Sequence, residues 1–229
     1  MTTSFTLPIF KEEWPEFAGV AARMAFKKRA EIFRQGDEVE AVYYVSRGWV
    51  KMVRGDYHGR EVIVSLRKPG RMLGLATAIA ETPYEMSAVA SSDCALERIP
   101  IGAFTELIGK DSNLCRRVTK LACRSSLEIA AHLMRINELS VREHLEYLLC
   151  EFLSEQYGGN LPPKDAPLRL PVSDKEIARM LSTSPQTLCE TFRELFEEGV
   201  ARREGRSGLK ISAPQRLRRS TDPVRSLAF

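Results

Sequence analysis

The sequence predicts an amphipathic helix at Ser184-Pro-Gln-Thr-Leu-Cys-Glu-Thr-Phe-Arg-Glu-Leu-Phe-Glu-Glu-Gly199. A serine followed by proline is typical of a helix N-cap with proline at the first helical position. Leu188, Phe192 and Leu195 then recur at spacings of four and three, so one side of the helix is apolar. Gly199 ends the helix, because glycine adopts the backbone conformation of a helix C-terminus.

A shorter helix is predicted immediately before this one. Ser173-Asp-Lys-Glu176 is a capping box, in which the hydroxyl and the carboxylate each satisfy a backbone N–H. Ile177, Ala178 and Leu181 follow it on one side of the helix. After Gly199, residues 200–212 predict two short strands around a glycine-bearing turn. A winged DNA-binding domain consists of two helices joined by a tight turn and a β-hairpin, the wing, that follows them.

The polar side of the second helix indicates how such a domain would meet DNA. Gln186, Glu190 and Arg193 share one face, opposite the apolar side. An α-helix fits the major groove, where Gln pairs with adenine, a carboxylate accepts from cytosine and Arg reads guanine. The residues expected at the phosphate backbone are Ser184, Thr187, Arg202, Arg203 and Arg206. For each of these residues taken singly, a solvated surface is the alternative.

Composition and charge favour a polyanionic partner. Of 229 residues, 44% are hydrophobic and 28% charged, a balance that excludes disordered and collagen-like classes. The net charge is only +4, but residues 200–229 hold eight basic and two acidic side chains, so the residues before them sum to −2. The asymmetry favours a polyanion at the C-terminal end, and a solvated basic tail is the alternative.

The first half of the chain has a different pattern. Between residues 26 and 101, β-branched and aromatic runs are separated by turn residues such as Gln35-Gly-Asp37 and Lys68-Pro-Gly70. Short runs punctuated by Gly and Pro are typical of an antiparallel sandwich or roll. We therefore expect a jelly-roll-like β-roll, with residues 1–25 forming either a short helix packed on it or a variable cap.

A long helix is predicted from Asn113 to Leu139. Its narrow seam, spaced three and four residues apart, consists of Leu114, Val118, Leu121, Ser125, Ile129, His132, Ile136 and Leu139. A narrow seam suits a partner helix, so we interpret this as a dimerisation helix, with packing on the chain's own roll as the alternative. The capping box Ser140-Val-Arg-Glu143 starts the next helix, and a proline-rich loop follows at 160–167.

Together these stretches resemble the CRP/FNR family of bacterial transcription regulators. The motifs that carry the resemblance are Phe33-Arg-Gln-Gly-Asp37, Tyr43-Tyr-Val-Ser-Arg-Gly-Trp-Val-Lys51, Gly70-Arg-Met-Leu-Gly74, the helix after Asn113 and Ser184-Pro-Gln-Thr-Leu-Cys189. The resemblance implies an α+β fold with a β-roll sensor domain at 1–112, a dimerisation helix at 113–139 and a winged helix-turn-helix domain with a basic tail at 140–229. It also implies a homodimer whose recognition helices enter major grooves about 34 Å apart on a near-palindromic site.

The expected effector pocket departs from the cyclic-AMP-responsive members that the chain resembles. Those members follow the glycine turn with an acid that holds the ribose, and an Arg before Ser-Ala neutralises the phosphate. Here Gly74 is followed by Leu75, and Met86 precedes Ser87. A buried cyclic phosphate would lack its charge partner, so we expect that cyclic AMP does not bind.

Other cofactors of the family lack their motifs too. Iron–sulfur members use an N-terminal cysteine group, whereas the first cysteine here is Cys94, so no cluster is expected. A haem sensor needs an axial ligand to the iron. The candidates for such a ligand are His58, His132, Met72 and Met86, but none of them lies in a diagnostic motif. The five cysteines include no C-x-x-C pair, which argues against a disulfide framework and a zinc site. We therefore predict no cofactor.

The recognition helix also departs from the family. Glu190 stands where the resemblance places a guanine-reading arginine, so either the DNA site differs or Arg193 reads it. Cys189 lies in the first turns of the same helix, where oxidation would alter the DNA-facing surface. An inert small side chain at this position is the alternative.

These observations predict a homodimeric, sequence-specific DNA-binding transcription regulator, with an effector that is not cyclic AMP and is either absent or linked to redox chemistry. Its expected partners are double-stranded DNA, a second copy and, for an activator, RNA polymerase. The sequence has no export signal and no apolar run of roughly 20 residues, which favours the cytoplasm and no membrane.

No catalytic motif is present, so no enzyme is expected. The alternative function is a nucleotide- or haem-sensing regulatory module that acts on a protein partner. Salt-dependent DNA binding would distinguish the two.

Overall fold

The chain folds into two units, Met1–Ser126 and Leu127–Phe229. The computed structural model describes residues 10–55, 61–205 and 208–217, apart from the side chains of Arg135 and Ile136. Among the residues singled out above, His58, Arg206 and the tail beyond residue 217 lie outside the described residues. Antiparallel sheets, a long helix and a helical C-terminal region confirm the predicted α+β class.

Two four-stranded antiparallel sheets form the body of the first unit, as the alternation of short runs and turns predicts. The strands are β1 Ala22–Phe26, β2 Glu31–Phe33, β3 Ala41–Arg47, β4 Val50–Gly55, β5 Glu61–Arg67, β6 Met72–Leu73, β7 Ser87–Ala90 and β8 Cys94–Pro100. The strand orders are β1-β8-β3-β6 and β2-β7-β4-β5.

Strand β3 has both faces buried, and it separates two hydrophobic clusters. Tyr43 and Val45 lie in the inner cluster, which joins side chains of the two sheets. Val42 and Tyr44 point the other way, into an outer cluster formed with helices. Successive side chains of a strand alternate between its faces, so five consecutive buried residues require cover on both sides.

Helices cover the outer face of β3. They are α1 Phe10–Glu13, a 3-10 turn at Pro15–Phe17, α2 Leu75–Ala80, α3 Ile101–Lys110 and α4 Ser112–Glu138. Phe10, Trp14 and Phe17 are buried in the outer cluster, which confirms for residues 10–17 the short helix packed on the roll. The sequence patterns did not predict α2 and α3.

The predicted helix at 113–139 is confirmed as α4. The interpretation of its apolar seam as a dimer contact is wrong at the first two residues of the seam. Leu114 and Val118 are buried in the outer cluster of their own unit, as the alternative to a dimer seam predicted. Further along α4, the large exposed apolar side chains are instead Leu127, Leu133 and Met134, which are 48%, 56% and 42% exposed. The apolar residues of α4 therefore serve two different environments.

Among the described residues, the second unit contains further helices and a three-stranded sheet. They are α5 Val141–Gln156, α6 Asp174–Met180, α7 Pro185–Glu197, β9 Ala166–Arg169, β10 Ala201–Glu204 and β11 Gly208–Ile211, with strand order β10-β11-β9. Both predicted capping boxes are present at the starts of α5 and α6. The loop predicted at 160–167 is wrong at its end, because Ala166 and Pro167 belong to β9 and pair with β11.

Candidate nucleic-acid interface

Helix α7 begins as its first residues predict. The side chain of Ser184 accepts a hydrogen bond from the Thr187 backbone N–H at 3.0 Å, and the two hydroxyl oxygens are 2.9 Å apart. Pro185 occupies the first helical position, where a missing N–H costs nothing. Ser184 is exposed and Thr187 partly exposed, so this turn of α7 can meet a phosphate group.

The two sides of α7 differ as the spacing predicts. Leu188, Phe192 and Leu195 are buried, and the Thr191 hydroxyl donates back to the carbonyl oxygen of Thr187 at 2.9 Å. The other side exposes Gln186, Glu190 and Arg193 together. The Gln186 amide donates to Glu190 at 3.3 Å, and Arg193 lies 4.0 Å from Glu197 with 69% of its side chain exposed. This face can form hydrogen bonds in a groove.

The wing is the hairpin of β10 and β11, in which Arg202 is paired with Lys210 and Arg203 with Leu209. Arg202 is exposed, and among the described residues no ion pair involves it. The guanidinium of Arg203 forms an ion pair with Asp174 of α6 and lies 4.7 Å from the ring centroid of Phe192 of α7. The two adjacent arginines therefore have different surroundings.

Several C-terminal cations have acidic partners that the sequence pattern does not reveal. Lys210 lies 3.6 Å from Asp165, and Arg216 lies 3.3 Å from Glu198. These contacts join residues 45 and 18 positions apart, and each partly neutralises a cation that counts toward the basic segment. The positive field of this segment is accordingly weaker than its formal charge of +6 indicates.

An arginine of α5 fixes the end of α7. Arg142 donates to both carboxylate oxygens of Glu198, at 2.5 and 2.7 Å, and to Glu146 at 3.1 Å. The hydrogen bond from Arg142 lowers the pKa of the Glu198 carboxyl below its ordinary value. Sequence reasoning missed this contact, because its partners are 56 residues apart and no local pattern links them.

Cys189 is exposed on α7, next to buried Leu188. Cys115 and Cys123 are also exposed, whereas Cys94 and Cys150 are buried. A thiol reagent or oxidant therefore has three accessible targets among the described cysteines, of which Cys189 is the one on α7.

The residues of the expected effector pocket have structural roles of their own. Gly74 has φ +73, and a Cβ atom there would lie 2.7 Å from the Tyr84 ring. Tyr84 stacks on Phe33 at 3.9 Å and donates its hydroxyl to the Ala41 carbonyl oxygen at 2.6 Å. Burial raises the pKa of Tyr84 to about 12, so its hydroxyl stays protonated at neutral pH. Both the backbone conformation and the close ring require glycine at position 74.

The structure does not bring the other pocket residues into one polar site. Leu75 is buried in the outer cluster, whereas Met86 packs against the inner one. The Ser87 hydroxyl accepts a hydrogen bond from the Gln35 backbone N–H at 2.9 Å. Glu85 beside them is exposed. In the described structure, these contacts serve the packing of the roll.

The structure also describes residues and helices that bear on a haem or metal ligand and on a membrane crossing. His132 and His144 lie with ring centroids 5.6 Å apart, and Met72 is buried. Within the described residues, no group of three or more potential ligands could hold a metal ion. None of the described helices combines the length and apolar content that a membrane crossing requires.

Comparisons with known proteins match both units. A family model for the cyclic nucleotide-binding domain matches residues 23–111, and one for the Crp-like helix-turn-helix domain matches residues 145–220. The cyclic AMP receptor protein of Thermus thermophilus is 27% identical, over 85% of this chain and 88% of that protein. The nitrogen fixation regulation protein FixK of Rhizobium meliloti is 28% identical, over 84% of each chain.

A solved structure shares the fold. FixK2 from Bradyrhizobium japonicum superposes with a TM-score of 0.74 and 21% identity, covering 87% of this chain and 96% of that one. Together, the comparisons cover the sheets of the first unit as well as α6, α7 and the wing.

Proposed function

The chain belongs to the CRP/FNR family of transcription regulators, and we propose that it binds a near-palindromic DNA site as a homodimer, with one copy of α7 and of the wing in each half-site. The observation that carries this proposal is the division of α7. Its apolar side is buried in its own unit, while Gln186, Glu190 and Arg193 are exposed together on the other. A helix with a hydrogen-bonding face and a capped N-terminus fits the major groove.

The residues of this interface would divide into two groups. Arg193 is the exposed cation on the outer face of α7, and it would read guanine. Gln186 and Glu190, which hydrogen-bond to each other, would exchange that bond for contacts to adenine and cytosine. Ser184, Thr187 and Arg202 would contact phosphates and set the position of the helix. Arg206, which lies outside the described residues, is proposed for the same role from the sequence alone.

A second copy of the chain is proposed as the partner of α4. Leu127, Leu133 and Met134 present large apolar side chains to solvent on its second half. Exposed apolar groups that recur along one helix favour a partner helix, since burying them removes apolar area from water. Two copies would then present two recognition helices, as a near-palindromic site requires.

The effector of this regulator is proposed not to be cyclic AMP. Leu75 and Met86 pack into hydrophobic clusters, so the positions where the resemblance places a ribose-binding acid and a phosphate-binding arginine offer neither charge. Isothermal titration calorimetry of the purified protein with cyclic AMP should give no binding heat. A tight, stoichiometric complex would overturn this proposal.

A redox response is proposed through Cys189. Peroxide would transfer one oxygen atom to the exposed sulfur, forming a sulfenic acid while the O–O bond breaks and water leaves. The added polar atom on α7 would weaken DNA binding. Peroxide treatment should lower the affinity of the wild type but not of Cys189→Ser. Equal sensitivity of both proteins would assign the effect to Cys115 or Cys123, and no sensitivity in either would leave Cys189 as an inert side chain.

The experiment that tests the main proposal is selection of bound sequences from random duplex DNA, with and without peroxide. Enrichment of a near-palindrome with half-sites about 10 base pairs apart is expected, with an affinity that falls steeply as salt rises. Failure to enrich any duplex would overturn it and favour a sensing module that acts on a protein partner. Transcription in vitro with RNA polymerase, from a promoter that carries the selected site, would then distinguish activation from repression in the proposed cytoplasmic setting.

A further inference from the structure

The guanidinium of Arg203 lies where three elements of the second unit meet. Arg203 belongs to β10, its ion-pair partner Asp174 is the first residue of α6, and the ring of Phe192 belongs to α7. The Arg203 Cζ atom is 4.7 Å from the Phe192 centroid, which is a cation–π distance. One side chain thus links the wing to both helices of the helix-turn-helix.

These surroundings leave little of the Arg203 guanidinium accessible to a phosphate. Its Nη2 atom donates a hydrogen bond to the Asp174 carboxylate. Its Nη1 atom is fully buried without a hydrogen-bond partner among the described residues. Phe192, which covers the guanidinium, is itself 3% exposed and stacks on Phe196 at 5.8 Å. Only 31% of the Arg203 side chain is accessible.

The neighbouring arginine has the opposite character. Successive side chains of a strand point to opposite faces, and Arg202 is exposed where Arg203 is partly covered. A phosphate that approaches the wing can therefore reach Arg202 without breaking a contact within the unit.

We propose that Arg203 is a positioning residue, which fixes the wing against α6 and α7 through Asp174 and Phe192, and that Arg202 is the phosphate-binding arginine of β10. This inference rests on the proposed DNA-binding function and assigns separate tasks to two residues within it. The wing and α7 must reach the same duplex at once, so a wing that moves relative to α7 loses part of the interface. Asp174, an acidic residue, then strengthens DNA binding through Arg203.

Substituting Asp174 provides a test, because a pure charge effect and a positioning role predict changes in DNA affinity of opposite sign. On charge alone, Asp174→Asn removes a negative group from a DNA-binding unit and should tighten binding or leave it unchanged. If Asp174 fixes Arg203, the same substitution weakens binding by about fivefold, since it removes the partner of the stacked cation. Asp165→Asn is the matched control, because Asp165 pairs with the wing residue Lys210 at 3.6 Å. It should bind as tightly as the wild type or slightly more tightly.

Salt dependence separates the two arginines. The full-length variants would be titrated with the selected duplex at several salt concentrations, after the active fraction and the melting temperature of each had been measured. Arg202→Met removes one phosphate contact in each half-site, so it should reduce the magnitude of the slope of log affinity against log salt by about 1.8, which is twice the contribution of one contact. Arg203→Met should weaken binding and leave the slope unchanged, and Arg203→Lys, which keeps the charge and loses the planar group, should do the same.

Two outcomes would overturn the assignment: Asp174→Asn binding as tightly as Asp165→Asn, or Arg203→Met lowering the slope as much as Arg202→Met. If the wild type binds no duplex at all, the proposed function fails and the position of the wing is judged by hydrogen exchange. Faster exchange of the β10 amides in Asp174→Asn than in Asp165→Asn supports the link, and equal exchange contradicts it.

Discussion

Helices α4 and α7 are both amphipathic, but they use their apolar sides differently. In α7, Leu188, Phe192 and Leu195 are all buried in one unit. In α4, Leu114 and Val118 are buried, whereas Leu127 and Met134 are 48% and 42% exposed. A helix whose apolar side is fully used has only polar groups left for a partner. A helix with exposed apolar side chains gains free energy by covering them, so the two helices call for partners of different chemistry.

The largest effect is expected where α7 is most buried. Leu195 is fully buried, so Leu195→Ala should lower the free energy of unfolding of the second unit by about 2–5 kcal/mol through lost burial and the cavity that remains. Glu197→Ala, an exposed change on the same helix, should stay within about 0.5 kcal/mol of the wild type. Urea denaturation followed by circular dichroism measures both. Equal stabilities would mean that α7 is not anchored by its apolar side.

A smaller effect is expected at the exposed apolar residues of α4. The double variant Leu127→Glu/Met134→Glu should dissociate the proposed homodimer, because it places charges in the proposed apolar contact. Affinity for a full palindromic site should then fall about 100-fold, since the second half-site no longer binds intramolecularly. Sedimentation velocity and a DNA titration would measure this.

The control for that comparison is Thr119→Glu/Cys123→Glu, which adds the same two charges at exposed positions in the first half of α4. It should remain a dimer with wild-type DNA affinity. A double variant that sediments like this control would show that the exposed residues do not form the dimer contact.

Next in size is the loss of a base contact from the polar side of α7. Arg193→Ala should cost about 1–3 kcal/mol in each half-site and relax the preference at one base pair there. Arg202→Ala should instead weaken binding to all sequences alike, because phosphates carry no sequence information. Repeating the selection with each variant tests the difference. An unchanged preference in Arg193→Ala would remove Arg193 from base reading.

The smallest effect is expected from the contact that fixes the end of α7. Arg142 lowers the pKa of Glu198 in the folded protein, so the ionised form is favoured by folding. The stabilisation is then complete above the ordinary pKa of glutamate and is lost as the pH falls through the lower folded value. The stability difference between wild type and Glu198→Gln should be constant near neutral pH and shrink in acid. A difference that grew on acidification would contradict the assigned pair.

Local signals predicted those elements that depend on neighbouring residues. The boxes at Ser140 and Ser173 and the cap at Ser184 each satisfy backbone donors within three residues, and all three helix starts are confirmed. The alternation of runs and turns likewise predicted the antiparallel sheets. Strand β9 was missed, because its place in the sheet depends on pairing with β11, about 40 residues later in the chain.

In the candidate site, too, local sequence patterns predicted some features and contacts between distant residues decided others. The spacing of Gln186, Glu190 and Arg193 was enough to place them on one exposed face, because an α-helix repeats every 3.6 residues. The pairing of Arg203 with Asp174 was beyond prediction, since 29 residues separate them and either side chain alone suits a solvated surface. For the effector pocket, the sequence indicated which charges are missing, and packing decided that Leu75 and Met86 join different clusters.

By itself, the sequence determined helices α4 to α7, the caps of α5, α6 and α7, the two-sided character of α7 and the resemblance to the CRP/FNR family. Periodicity and capping act over a few residues, so they can be read in chain order. Only the tertiary structure decided which apolar residues of α4 are covered and which arginine of the wing is engaged. Burial and ion pairing depend on distances between segments far apart in the chain, and those distances exist only once the chain has folded.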